Sequence, residues 1–200
     1  MRPVLSRLAL VASLVLALPA VAVAQPVLTI KPLAEKKVDT LPAGTLFWRI
    51  ETLPSLAAAQ ALAGPLAIAV ESAGRAWLFT LGPAGGSTPG AARVAEVGPI
   101  ARVAATSYLL RINDASGPPG SATPVHSHPG SEAFYVLAGE QSIRDAHGTL
   151  RVEAGGAEPG HGADMAMQVS STGQGDLHAL VMFVVDAGKP FSSPATLPSQ

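Results

Sequence analysis

The 200-residue sequence contains no cysteine, which excludes disulfides, thiolate metal sites and thiol nucleophiles. It has no long run of lysine or arginine and a formal net charge of −1 at pH 7, so we expect no nucleic-acid partner. Beyond the first residues it also lacks an apolar stretch of the roughly 20 residues that a membrane-spanning helix needs. In contrast, its 20 glycines and 18 prolines favour short strands joined by turns over long helices.

Residues 1–24 have the three parts of a secretory signal peptide. Arg2 and Arg7 form a positive start, residues 8–18 are mostly Leu, Ala and Val, and residues 22–24 are a small-residue cleavage site. The alternative is a membrane anchor, for which the apolar run is short. We therefore expect export to the periplasm or the medium, with no membrane span once the signal is removed.

The remaining residues divide into four parts by their sequence pattern. Residues 25–45 indicate an N-terminal arm, and residues 46–106 indicate strands, with one short helix after Ser55, that extend a barrel. Residues 107–186 are the strand-rich core, and the Pro- and Ser-rich residues 187–200 are expected to be a surface tail. Six or more short strands separated by turn residues predict an all-β sandwich or barrel.

Two histidines and a glutamate form the strongest chemical signal in the sequence. His126 and His128 lie two residues apart, so in an extended segment their side chains point to the same side. Pro129 and Gly130 then turn the chain, so Glu132 at the start of the next strand can point back to the same place. Two imidazoles and one carboxylate around open positions indicate a metal site of the facial-triad kind.

The surrounding glycines place these ligands in a longer pattern: Gly120, five residues, His126, one residue, His128, three residues, Glu132, six residues, Gly139. This pattern resembles the first motif of the cupin superfamily, and the resemblance covers the core. It implies a double-stranded β-helix, or jelly-roll, barrel that binds one divalent transition metal, Mn, Fe, Ni or Zn. The alternative is a polar loop that carries two surface histidines by coincidence.

The second cupin motif, which normally supplies a histidine as fourth ligand, is degraded in this sequence. Met167 aligns with that histidine, and we expect it to be a pocket-wall residue, because a thioether suits Cu(I) better than the metals named above. His161, in the loop before that strand, is a candidate substitute ligand or catalytic acid/base. Asp164 is a second candidate for moving protons. For His161, the alternative is a solvent-facing loop residue.

Strand periodicity predicts further residues near the metal. Phe134 and Val136 share the side of Glu132 and are expected to form a dry wall beside it. Gln141 is assigned to the pocket wall only because side chains alternate between the two faces of a strand. His178, in a strand of apolar residues, is predicted to be a packed histidine with a hydrogen bond.

The resemblance leaves the function open between two classes. As an enzyme, the protein is expected to bind a small oxygen-bearing molecule at the open metal, as a metal-dependent oxygenase, isomerase or lyase. As a binding protein, it would be a non-catalytic ligand- or metal-binding barrel of the periplasm. Cupins often form dimers, so a homodimer is a further expectation.

We predict that the mature protein begins at Gln25, because Ala22 and Ala24 fit the small pockets of the signal peptidase. Intact-mass spectrometry of the exported protein measures this directly. A mass that retains residues 1–24 would instead identify the segment as an anchor.

Overall fold

The computed structural model describes residues 26–198, so the predicted signal peptide and its cleavage site lie outside the described residues. The described chain is mainly β-strand, which confirms the predicted all-β class. In chain order the elements are β1 (Thr29–Val38), β2 (Leu46–Leu53), α1 (Leu56–Leu62), β3 (Ala67–Ser72), β4 (Arg75–Gly82), β5 (Ala92–Ile100), β6 (Tyr108–Gly117), β7 (His126–Ser127), β8 (Gly130–Ala138), β9 (Glu140–Asp145), β10 (Gly148–Glu153), β11 (Ala157–Glu158), β12 (Gln168–Ser171), β13 (Leu177–Asp186) and β14 (Ser193–Pro194).

Two antiparallel sheets face each other and form a barrel. One has five strands in the order β1-β6-β13-β8-β11, and the other has three in the order β10-β9-β12. The apolar core between them contains Phe134, Val136 and Val181 from the larger sheet and Ile143 and Val169 from the smaller one. The jelly-roll barrel predicted from the sequence is therefore present.

The N-terminal strands mostly form a sheet of their own, in the order β3-β4-β2-β5. This sheet packs against the outer face of the barrel, where Trp48, Trp77 and Phe79 join one core with Leu180 and Met182 of β13. Of the described N-terminal strands, β1 alone joins the barrel's own sheet, at its edge, by pairing with β6. Residues 46–106 therefore add a layer to the barrel instead of lengthening its sheets.

The single described helix begins as its sequence predicts. The Ser55 side chain accepts a hydrogen bond from the Ala58 N–H at 3.2 Å, which satisfies one of the free donors at the helix start. Within residues 26–198 no helix combines the length and apolar character needed to cross a membrane.

Strand β13 is buried on both faces. Ala179, Val181 and Phe183 face the barrel core, whereas Leu180 and Met182 face the N-terminal sheet. A strand covered on both sides needs apolar residues at successive positions, which explains why LHALVMFVVD is almost continuously apolar.

Strand β6 continues further than the sequence pattern predicts. The polar residues Asn113 and Asp114 indicate a loop, but the strand continues to Gly117. Asp114 Oδ2 accepts hydrogen bonds from His178 Nε2 at 2.8 Å and from Ser72 Oγ at 2.5 Å, so its charge is satisfied within the sheet. Polar residues whose side chains form hydrogen bonds within the fold can therefore remain part of a strand.

We predict that Gly139→Ala destabilises the protein more than Gly120→Ala. Both glycines have positive φ, +71° and +82°, so alanine is strained at either position by about 1–2 kcal/mol. At residue 139 an added Cβ would also lie 2.6 Å from the Asp176 carbonyl oxygen, whereas at residue 120 it meets nothing within 4 Å. Urea denaturation measures the two losses in the free energy of unfolding. Equal losses would mean that the backbone at Asp176 moves aside freely.

Candidate metal centre

The structure brings His126, His128 and Glu132 together at one end of the barrel. One ligand atom from each lies within 4.8 Å of the others. His126 belongs to β7, His128 to the turn that follows and Glu132 to β8. His128 Nε2 is 3.5 Å from Glu132 Oε2, and both side chains are almost fully buried.

Both imidazole rings are oriented by backbone carbonyl groups. His126 Nδ1 pairs with the Pro124 carbonyl oxygen at 2.9 Å, and His128 Nδ1 pairs with the Phe191 carbonyl oxygen at 2.7 Å. A carbonyl oxygen only accepts, so each Nδ1 carries the hydrogen and each Nε2 keeps its lone pair. Metal-binding histidines commonly donate their second ring N–H in this way, which fixes the ring and leaves the other nitrogen for the metal.

The electrostatics of Glu132 and His128 fit a bound cation. Burial raises the pKa of Glu132 to about 7, and its Oε2 has no hydrogen-bond donor among the described residues. Burial also lowers the pKa of His128 to about 4, so this ring is neutral at pH 7 although its bond to Phe191 acts the other way. A cation would satisfy the orphaned oxygen and keep Glu132 ionised, because an opposite charge favours the carboxylate.

A cavity of about 390 Å³ opens onto the three ligands. Its walls are mostly apolar and come from strands of both barrel sheets and from the C-terminal segment. Its lining includes Ile30, Asn113, Val169, Val181, Phe183 and Phe191.

The residues expected to form the pocket wall lie deeper in the protein than the cavity. Phe134, Val136 and Met167 belong to the barrel core, and Gln141 is fully buried, but none of the four lines the cavity. Because β8 runs from the ligands into the barrel, residues two and four positions after Glu132 lie below the metal site. The wall consists instead of side chains such as Val181 and Phe183 on the neighbouring strand.

His161 and Asp164 are not part of the ligand group. His161 Nε2 pairs with Asp145 Oδ2 at 2.6 Å, in a second depression that His147 also lines. Asp145 is well placed to hold this ring, because its other oxygen accepts from the backbone N–H groups of His147 and Gly148. The side chain of Asp164 is exposed, and its N–H donates to the His128 carbonyl oxygen at 2.7 Å.

Three residues at the site were missed by the sequence reasoning. Phe191 and Phe183 flank the His128 ring, each with its ring centroid at 4.8 Å, and Asn113 lines the cavity. Two signals were available: Phe191 is the one aromatic residue in the Pro- and Ser-rich tail, and Asn113 is the only asparagine in the sequence. The tail expected on the surface therefore covers the site.

The candidate ligand group lies where the sequence motif predicts it. Its ligands come from β7, the turn after it and β8, at one end of a barrel made of two antiparallel sheets. The chain has the cupin fold. Gly120 and Gly139 turn the chain with positive φ at the two ends of the cupin motif, as expected.

Solved structures similar to this chain include cupin-like proteins. A cupin-like protein from Thermotoga maritima is 16% identical with a TM-score of 0.36, over 43% of this chain and 64% of its own, which is less than two thirds. A protein with a double-stranded β-helix domain from Klebsiella pneumoniae is 18% identical with a TM-score of 0.38, over 44% and 75%. A DMSP lyase from Ruegeria pomeroyi is 22% identical with a TM-score of 0.37, over 46% and 45%. No family model and no curated protein sequence matches the chain.

We predict that His126→Ala removes most of the bound metal and that Met167→Leu does not. The first change deletes one of three ligands. The second keeps the volume of a core side chain, so it should lower the free energy of unfolding by less than about 1.5 kcal/mol. Elemental analysis of the purified proteins measures the metal. Equal loss in both variants would make the Met167 sulfur a ligand, and no loss in either would mean that the metal binds elsewhere.

Proposed function

We propose that this cupin is an exported, metal-dependent oxygenase that binds a small, mainly apolar molecule through an oxygen atom. The observation that supports this is a His126, His128 and Glu132 group in a cavity whose described lining has no other ionisable side chain. Two histidines and one carboxylate with open positions are the ligand set of non-haem iron oxygenases. Export rests on the signal-like residues 1–24.

The cavity favours a small and largely uncharged ligand. Its volume of about 390 Å³ is near the lower end of the range for small-molecule sites. Ile30, Val169, Val181 and Phe183 supply apolar walls, and the described lining contains no lysine or arginine. A phosphate or polyacid would therefore lack a countercharge beyond the metal, whereas a small phenol or diketone offers oxygen donors on an apolar body.

Asn113 provides a directed hydrogen-bond donor in this cavity. Its Oδ1 accepts from Arg111 Nε at 3.0 Å, and because a guanidinium group only donates, this bond fixes the orientation of the amide. The Asn113 NH2 group then has no partner among the described residues and remains free for a ligand. A substrate with a second oxygen atom would be oriented by this donor.

The roles of the protein residues follow from these contacts. A divalent metal on the three ligands would supply Lewis acidity and, if redox-active, the ability to activate dioxygen. The carbonyl groups of Pro124 and Phe191 orient the two imidazole rings, whose Nε2 atoms would bind the metal. The Phe183 ring packs against the His128 ring and excludes water from one side of the site.

The same cavity argues against the lyase and isomerase alternatives. Those reactions commonly use a side chain that gives or takes a proton at the substrate. The candidates for that role, His161 and Asp164, are not among the cavity residues. Among the described residues the cavity has no acid or base other than the ligands, which also suits a non-catalytic ligand- or metal-binding barrel of the periplasm, the second candidate function.

We predict dioxygen uptake by the mature protein reloaded with Fe(II) when small phenols or diketones are supplied, and none with sugar acids. The apolar walls accept the first two classes, and the sugar acids would place many hydroxyl groups against them without partners. An oxygen electrode measures the uptake, and Glu132→Gln should abolish it. His147→Gln is the matched control, because His147 lies in an exposed turn outside the cavity.

Asn113→Leu separates orientation from metal binding in the same assay. It keeps the side-chain volume and removes the donor, so KM should rise about tenfold for protein loaded with the same amount of metal as the wild type. Calorimetric binding of the same compounds without any dioxygen uptake, for every metal supplied, would support the non-catalytic barrel and reject the oxygenase.

A further inference from the structure

The C-terminal residues 190–195, which we call the strap, lie directly across both histidine ligands. Ser193 and Pro194 of β14 pair with Ser127 and His126 of β7. The Ala195 N–H donates to the Val125 carbonyl oxygen at 3.2 Å. The strap therefore pairs through its backbone with the strand that carries His126.

The strap also contacts the second ligand through Phe191. The Phe191 carbonyl oxygen accepts the His128 Nδ1–H bond at 2.7 Å. Its ring packs on the His128 ring, with centroids 4.8 Å apart, and on the Phe183 ring at 4.9 Å. One residue thus sets both the tautomer and the packing of His128.

Arg111 anchors Phe191 to the barrel sheet. The Arg111 Cζ lies 4.2 Å from the centre of the Phe191 ring, which is within the range of a cation–π contact. The guanidinium is itself held by Asn113 Oδ1 at 3.0 Å and by Glu35 Oε2 at 3.7 Å. A chain of contacts therefore runs from β1 and β6 through the strap to the ligand.

We propose that docking of the strap is coupled to metal binding, with Phe191 as the positioning residue for His128. The inference rests on the metal site of the proposed function. With the strap docked, the His128 ring is fixed with its Nε2 lone pair toward Glu132. With the strap released, the His128 ring loses its acceptor and its contact with the Phe191 ring, and one wall of the cavity opens. Because coupling between two binding events is reciprocal, the metal must stabilise the docked strap by the same factor.

Two truncations of the mature chain test whether the strap strengthens metal binding, with Zn(II) alone as the probe. A chain that ends at Lys189 lacks the strap, and a chain that ends at Ala195 keeps it and is the matched control. Competition with a chelating dye measures the affinity. Loss of a group that orients a ligand typically weakens metal binding about 10- to 100-fold, so we expect that loss for the first chain and none for the second.

If the chain that ends at Lys189 does not fold, a full-length variant tests the same coupling. Phe191→Ala removes the ring that anchors the strap, so its Zn(II) affinity should fall severalfold or more, and Phe191→Tyr, which keeps the ring, should restore it. A Phe191→Ala variant with wild-type Zn(II) affinity would overturn the proposal.

Hydrogen exchange tests whether the metal stabilises the docked strap. A merely structural role of Phe191 would not produce this effect. Zn(II) should slow exchange of the Ala195 amide in the wild-type chain and leave the exposed turn at His147 unchanged. Zn(II) that binds the wild type without protecting the strap, or binds the chain ending at Lys189 equally well, would reject the coupling and leave the proposed function standing. A wild-type chain that binds no metal would reject both.

Discussion

A carboxylate buried among apolar side chains is the constraint on which the rest of the site depends. Glu132 is 3% exposed, and its Oε2 has no donor among the described residues. An ionised group in such surroundings is unfavourable by several kcal/mol unless an opposite charge balances it. A histidine binds a metal as a neutral imidazole, so His126 and His128 can share a cation with it and add no competing charge. The barrel and the strap bury His128 and Glu132, whereas His126 is half-buried at the edge of the cavity.

The layered architecture holds this carboxylate in place. Glu132 lies opposite Phe183 in the pairing of β8 with β13, so an aromatic ring is its cross-strand neighbour. Strand β13 is the middle strand of the five-stranded sheet and is covered on its outer face by the N-terminal sheet. The strand that carries the ligand is therefore packed against one of the most buried parts of the protein, which limits how far the site can relax.

The features that depend on residues close together in the sequence were predicted correctly. The ligands His126, His128 and Glu132 lie on two successive strands and the turn between them, so their spacing alone predicts that they meet. Strand period predicts which face a residue is on but not its depth, which is why Phe134 was expected beside the metal and lies below it. The bond between His128 and Phe191 joins residues 63 positions apart, and no local pattern specifies such a contact.

The edge strand β1 has a consequence for how copies of the protein can meet. It is the outer strand of the five-stranded sheet, and Lys31, Pro32 and Lys37 on it are exposed. Proline offers no N–H to a new strand, and two such edges would bring lysines of both copies together. This edge is thereby protected against strand addition and the aggregation that follows from it. The β1 edge is therefore an unfavourable place for two copies to pair by their strands.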